Sequence, residues 1–213
     1  MSARGSVATP TAAAIFGGSF VPMKTAPRPY RQSRRAAAAQ ANTERILRAA
    51  IELYAERPLD QITLGDVAER AGVGLQTLIR RVRTKDGLMQ AVDAWMAGRI
   101  GAARGEPVSE PAAVAAALQR QYEAFGAVIE RTLHQEDASP SLAAAARGGR
   151  EAHAAWIDAA FADALAAAPD RALLRAQLIG VCGVELWLVL RRDAGLSPDQ
   201  ARDAVAGLIA SLL

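Results

Sequence analysis

Residues 63–82 read TLGDVAERAGVGLQTLIRRV, and their spacing decides the fold. Thr63 is placed to open a short helix. Its hydroxyl can accept from a backbone N–H two or three residues on, while Asp66 sits where a carboxylate reaches back to the cap. Leu64, Val67, Ala68 and Ala71 then recur on one stripe, with Ala68 small where two crossing helices meet. Gly72 ends the helix, since glycine accepts the left-handed backbone that a helix C-terminus favours. The chain turns, buries Val73 and restarts near Gly74. In the next helix Leu78 and Val82, four apart, take the buried side and leave Gln76, Thr77, Ile79, Arg80 and Arg81 on or near the outside. Amide, hydroxyl and guanidinium groups facing outward from a helix braced by another suit the major groove of DNA.

On either side the pattern continues. Ile46, Leu47, Ala50, Leu53 and Tyr54 make the inner face of a preceding helix, and Thr84 and Lys85 open a following one. The segment from Ile46 to Leu88 resembles the DNA-binding signature of the TetR family of transcriptional regulators. Two positions depart from it: Ile79 stands where the family usually carries a phosphate-binding tyrosine, and Gly74 where many members carry a Ser or Thr cap. The resemblance implies an all-α fold, with an N-terminal three-helix helix-turn-helix head on a helical ligand-binding and dimerisation body. The expected DNA-facing set is Thr63, Gly74, Leu75, Gln76, Thr77, Ile79, Arg80, Arg81 and Lys85. Gln76 and Thr77 should reach base edges, Leu75 a thymine methyl, and Lys85 phosphate, aided by the positive end of its helix.

Charge adds a polarity. The 213 residues carry a net charge of only +3, but Lys and Arg outnumber Asp and Glu 16 to 8 up to Arg104, and acids lead 14 to 9 beyond it. Phosphate is drawn to the half that holds the helix-turn-helix. Residues 1–41 contain Arg4, Lys24, Arg28, Arg31, Arg34 and Arg35 and no acid. Rich in Pro, Gly, Ser and Ala, they read as a disordered basic arm that, with Arg34 and Arg35, either tracks the DNA backbone or enters the minor groove, or else serves as a solubilising tail. A signal peptide fits poorly, because Gly17, Gly18, Pro22 and Lys24 interrupt its apolar stretch. Met23 is an alternative start.

Beyond Leu88 the chain reads as helices. Trp95 and Met96, Tyr122 and Phe125, and Trp156 and Phe161 are bulky side chains at helical spacing that either fill a core or line a ligand pocket. A polar loop is expected over His134–Pro140, then a short helix around Leu142 and a longer one after Gly148 and Gly149. Leu178 to Leu190 is apolar apart from Glu185, too short to cross a bilayer, and so is expected to be buried. Ser197 and Pro198 open a last helix whose stripe is Val205, Leu208, Ile209 and Leu212. One subunit rarely hides both elements, which makes Leu186, Val189, Leu208 and Leu212 candidates for a homodimer interface. By the resemblance, that interface is a four-helix bundle.

Catalytic chemistry finds no candidates. His134 and His153 lack metal-ligand spacing, and Cys182, the single cysteine, lies inside the apolar run. No metal, cofactor or membrane partner is expected. The reading is a cytoplasmic homodimer in which residues 42–88 bind a double-stranded operator and 89–213 sense a ligand and dimerise. The ligand should be small and largely apolar, because no cluster of buried-looking charges is evident. By the resemblance it acts as a repressor. The alternative is a constitutive or architectural DNA-binding protein with no ligand.

Overall fold

The computed structural model describes the backbone of residues 29–213 and the side chains from residue 37 onward. Helix α1 spans Pro29–Glu56. Residues 29–41 are therefore helical, whereas their composition predicts an unstructured arm as far as 41. Pro29 suits the first helical position, and the alanine run from Ala36 to Ala39 has high helix propensity. The side chains of Arg34 and Arg35 lie outside the described residues, as do residues 1–28.

Residues Ala39–Leu213 form one compact unit. Within it a 3-10 turn at Leu59–Gln61 leads to α2 (Leu64–Ala71), α3 (Leu75–Val82) and α4 (Lys85–Arg104). Then come α5 (Pro111–His134), a 3-10 turn at Glu136–Ala138, α6 (Pro140–Ala160), α7 (Ala162–Ala167), α8 (Arg171–Val181), α9 (Val184–Leu188) and α10 (Pro198–Leu212). Among the described residues there is no strand.

Two apolar cores result. The first joins Ile46, Leu53, Val67 and Leu78 of the three-helix head to Leu88, Val92 and Met96 of α4, so α4 belongs to the head's core before it enters the body. The second gathers Leu118, Ile157, Phe161, Leu178, Trp187 and Ile209 from α5 to α10. Helix α5 runs through the middle of the body and packs against α4, α6, α9 and α10.

Two expectations are corrected. Gly148 and Gly149 do not divide the sixth helix, which runs unbroken from Pro140 to Ala160. Each glycine costs about 1 kcal/mol against alanine, but buried Leu142 and Ala146 before them and Trp156 and Ile157 after them hold both halves in place. The apolar run around Leu178–Leu190 is not one buried helix. It breaks at Cys182 and Gly183 and ends in a π-helical turn over Val189–Asp193. Length and a mean hydropathy of 1.7 would let Arg171–Asp193 cross a bilayer, yet its helical ladder is interrupted and Arg175 is bonded to Asp158 of α6 at 2.7 Å. Val189 is 48% exposed and Leu208 41%, while Leu186 and Leu212 are half-buried.

Candidate functional site

The head is built from two capped helices and the turn between them. Thr63 N–H donates to Asp66 Oδ2 at 2.8 Å, and Asp66 N–H donates to Thr63 Oγ1 at 3.1 Å, closing a reciprocal box at the start of α2. The Thr63 N–H bond, the Thr63 hydroxyl donating to the same Oδ2 at 2.9 Å, and then Arg57 nearby hold the Asp66 carboxyl below its ordinary value of 3.8. At the other end Gly72 has φ 62° and ψ 40°. Its N–H donates to Glu69 O and that of Val73 to Ala68 O, both at 3.0 Å, a Schellman closure that needs the left-handed residue. Arg45 of α1 donates to Gly72 O at 3.3 Å, fixing the turn to the first helix.

Helix α3 follows, with Gly74 preceding it and Leu78 fully buried. Leu75, Gln76, Arg80 and Arg81 are exposed, and Thr77 and Ile79 are half-buried. The Arg81 guanidinium donates to the Thr43 hydroxyl of α1. Arg83 has φ 59° and ψ −51°, and Thr84 N–H donates to Val82 O at 2.7 Å across it. That is a γ-turn of the strained hand. It swings the chain directly into α4, where the Thr84 hydroxyl accepts from Gly87 N–H at 3.0 Å. A Cβ at Gly87 would lie 2.3 Å from Val82 O, so only glycine lets the two helices approach this closely. Lys85, first residue of α4, reaches Asp60 O at 3.5 Å. Arg80, Arg81, Arg83 and Lys85 thus supply four cations within six residues.

The second feature is a cavity of about 650 Å³ bounded by α4, α5, α6 and the break between α8 and α9. Met96, Tyr122 and Trp156 line it, as does Tyr54 from α1. Buried in its wall is Arg104, 7% exposed. Its Nε donates to Gln121 Oε1 at 2.6 Å, its Nη2 lies 3.4 Å from His153 Nδ1, and its guanidinium sits 5.0 Å from the Trp156 ring centre. His153 Nε2 lies 3.2 Å from Ile179 O. A neutral imidazole protonated on Nε2 satisfies both contacts, donating to the carbonyl and accepting from Arg104. Burial, and then the Arg104 charge, hold His153 below its ordinary 6.5. The buried Tyr122 hydroxyl donates to Cys182 O at 2.7 Å, and burial pushes the Cys182 thiol up to about 12, far from a reactive thiolate.

Residues 46–92 match the model of the bacterial regulatory proteins of the tetR family. Solved structures share the fold. A transcriptional regulator from Rhodococcus sp. Rha1 superposes with a TM-score of 0.60 at 22% identity, covering 80% of this chain and 95% of that one. A TetR-family member from Streptomyces coelicolor A3 gives 0.52 at 22%, covering 79% and 98%. The multidrug binding protein EbrR complexed with imidazole gives 0.53 at 22%, covering 89% and 97%. Residues 46–92 thus carry a tetR-family DNA-binding domain, and the chain shares the fold of these solved structures. No curated protein matches it significantly.

Half of the residues expected to line a pocket lie elsewhere. Trp95 is half-buried on the head's core, with the Arg99 guanidinium 4.0 Å from its ring centre. Phe125 packs on the same core, and Phe161 is fully buried in the body's own. The sequence shows no cluster of buried-looking charges, and it does not mark Arg104, the buried charge that the structure places in the cavity wall. In the sequence it stands immediately before the break at Gly105–Pro107, where a basic residue ordinarily caps a helix in solvent. It is buried because Gln121 of α5 and His153 and Trp156 of α6 close around it, contacts between residues 17 to 52 positions apart. Arg83 and Gly87 escape a sequence reading for a different reason: the one is strained and the other crowded only once α3 and α4 are set against each other.

Proposed function

We propose that this TetR-family regulator is a cytoplasmic homodimeric repressor that leaves its operator when a small molecule enters the body cavity. The observation that carries the reading is the cavity itself, because one of its walls is α4, whose first residue is Lys85 beside the recognition helix. Residues 42–88 are the DNA-binding domain and 89–213 the sensing and dimerising domain. Gln76 and Thr77 read base edges, Leu75 touches a thymine methyl, and Arg80, Arg81 and Lys85 hold phosphate. Arg34 and Arg35 add backbone contacts. Two copies pair through the uncovered apolar residues Val189 and Leu208 with half-buried Leu186 and Leu212. Their recognition helices then enter successive major grooves about 34 to 36 Å apart.

A ligand that fits the cavity better in one arrangement of α4 than in another shifts the head spacing, and by linkage DNA weakens that ligand by the same factor. The EbrR complex is a precedent for a small molecule held by this fold. A body packed solid would instead have favoured a constitutive binder. Selecting sequences from a random DNA pool with the purified protein should return a two-fold-symmetric site. A thermal-shift screen of small molecules, repeated with that site present, should find one that stabilises the free protein and competes with DNA. A pool that returns no preferred sequence would overturn the reading of the head. A screen in which no compound competes would overturn the effector role of the cavity.

A further inference from the structure

We infer that the cavity selects a monoanionic amphipathic acid, with its carboxylate on Arg104 and its apolar body against Met96, Tyr122 and Trp156. The inference rests on the reading of this cavity as the effector site and names the chemistry of what enters it. A guanidinium stays charged at any ordinary pH, so its burial is costly unless an anion faces it. Burial already lowers the Arg104 pKa from its ordinary value, against a smaller opposing pull from Tyr122 and Cys182. Among the described residues no carboxylate pairs with Arg104. Its partners are the neutral Gln121 amide and the neutral His153 ring. The two acids on the cavity wall, Asp93 and Glu185, are exposed and make no ion pair with it, and Arg150 is already paired with Glu136 at 2.5 Å.

The geometry limits the ligand further. Nε is spent on Gln121, whereas Nη1 makes no hydrogen bond among the described residues. The open edge is therefore the Nη1–Nη2 side, the fork that accepts a planar carboxylate through two parallel bonds. One unpaired cation neutralises one negative charge. A phosphate monoester would leave a second charge uncompensated against a largely apolar wall. The glycines at 101, 105, 148, 149 and 180 also line the space, and a Cβ on any of them would meet nothing within 4 Å, so the wall leaves room around the charged group. A second polar group lies elsewhere in the lining: the buried Tyr54 hydroxyl makes no hydrogen bond of ordinary geometry among the described residues, and Thr132 beside it donates its own to Val128 O at 2.9 Å. It offers a neutral hydrogen bond and no charge.

The test pairs each acid with an uncharged analogue of similar shape: decanoate with decan-1-ol, and 4-phenylbutanoate with 4-phenylbutanamide. Affinities for the full-length protein are measured by calorimetry at pH 7.5, and operator release by fluorescence anisotropy. The expected result is that at least one acid binds ten-fold or more tightly than its neutral partner. In Arg104→Gln that ratio should fall to within two-fold, and Arg104→Lys should restore part of it. A role in packing alone would weaken acid and neutral probe together and leave the ratio unchanged. Should the Arg104→Gln protein fail to fold, the ratio in the unmodified protein decides. Equal binding of acid and neutral analogue, with operator released by both, overturns the carboxylate and leaves the effector site standing. A clear acid preference without operator release supports the carboxylate and overturns the effector reading. Absence of binding by all four probes overturns the inference.

Discussion

Lys85 and Arg104 are the first and last residues of a single uninterrupted helix. Its twenty residues span about 30 Å, with the basic end set against the recognition helix and the other end buried in the cavity wall. Such a rod transmits a change at one end only if its middle is held. Leu88, Val92 and Met96 anchor it in the head's core, and Arg99 pairs with Glu44 of α1 at 2.6 Å. Helix α1 has its own tie to the body, where Arg131 of α5 donates to Ala55 O at 3.1 Å. The cavity therefore touches both helices that carry the head, α4 through Arg104 and α1 through Tyr54.

Binding measurements separate the two kinds of DNA interaction. Lys85→Ala should weaken every sequence alike and reduce the dependence of log affinity on log salt by about 0.9 for each phosphate that the protein no longer neutralises. Gln76→Ala should cost about 1–3 kcal/mol at one base position and relax the preference there. Two variants that bind like the parent would take α3 out of the groove.

Backbone geometry in the head sets a second expectation. Gly72→Ala meets no neighbouring atom, so its effect isolates the left-handed backbone and should cost about 1–2 kcal/mol. Gly72→Asn should be milder, since asparagine tolerates that region. At Gly87 the added methyl meets the Val82 carbonyl instead, and Gly87→Ala should destabilise by about 1–3 kcal/mol as α4 is forced from α3. Urea midpoints check both. An unchanged midpoint for Gly87→Ala would mean that the two helices are not held at this distance.

Much of this head is legible in the sequence because its determinants are local. The Thr63–Asp66 box, the Gly72 turn and buried Leu78 depend on neighbours within five residues or on helical periodicity. The body is legible only as helices. Which aromatic faces a cavity depends on how α4, α5 and α6 are rotated against one another, and spacing along one helix does not specify that. Trp95 and Met96 are adjacent in sequence and only Met96 lines the space. Arg104 shows the same limit, since nothing within its own helix distinguishes it from a solvated terminal charge.

The exposed apolar surface makes the oligomeric state sensitive to charge. Val189 and Leu208 are 48% and 41% exposed in one subunit, so Val189→Glu with Leu208→Glu should leave the subunit folded. In a dimer seam the same carboxylates would be buried without partners, at several kcal/mol if they remain there. Sedimentation should show a monomer, circular dichroism an intact helical spectrum, and the operator a large drop in affinity although the head is unaltered. A dimer that persists at micromolar concentration would exclude this surface.

The last expectation concerns acid. His153 is held below its ordinary 6.5, chiefly by burial and then by the Arg104 charge, while the Ile179 carbonyl and Glu185 pull weakly the other way. The folded chain therefore resists a proton that the unfolded chain accepts. Above pH 6.5 both states leave the ring neutral and no contribution depends on pH. As the pH falls below 6.5 the unfolded state binds the proton first, and stability declines until the folded-state value is reached. The carboxyls of Asp66, Glu123 and Asp158 are lowered from 3.8, 4.5 and 3.8, so their contributions fade at still lower pH. Asp93, raised by burial, is unchanged by a substitution at 153. His153→Gln can still accept from Arg104 and donate to Ile179 O, and it does not titrate. Between pH 6.5 and 5 its melting temperature should fall less than that of the parent. Superimposable profiles for the two proteins would mean that the imidazole is not held neutral against Arg104.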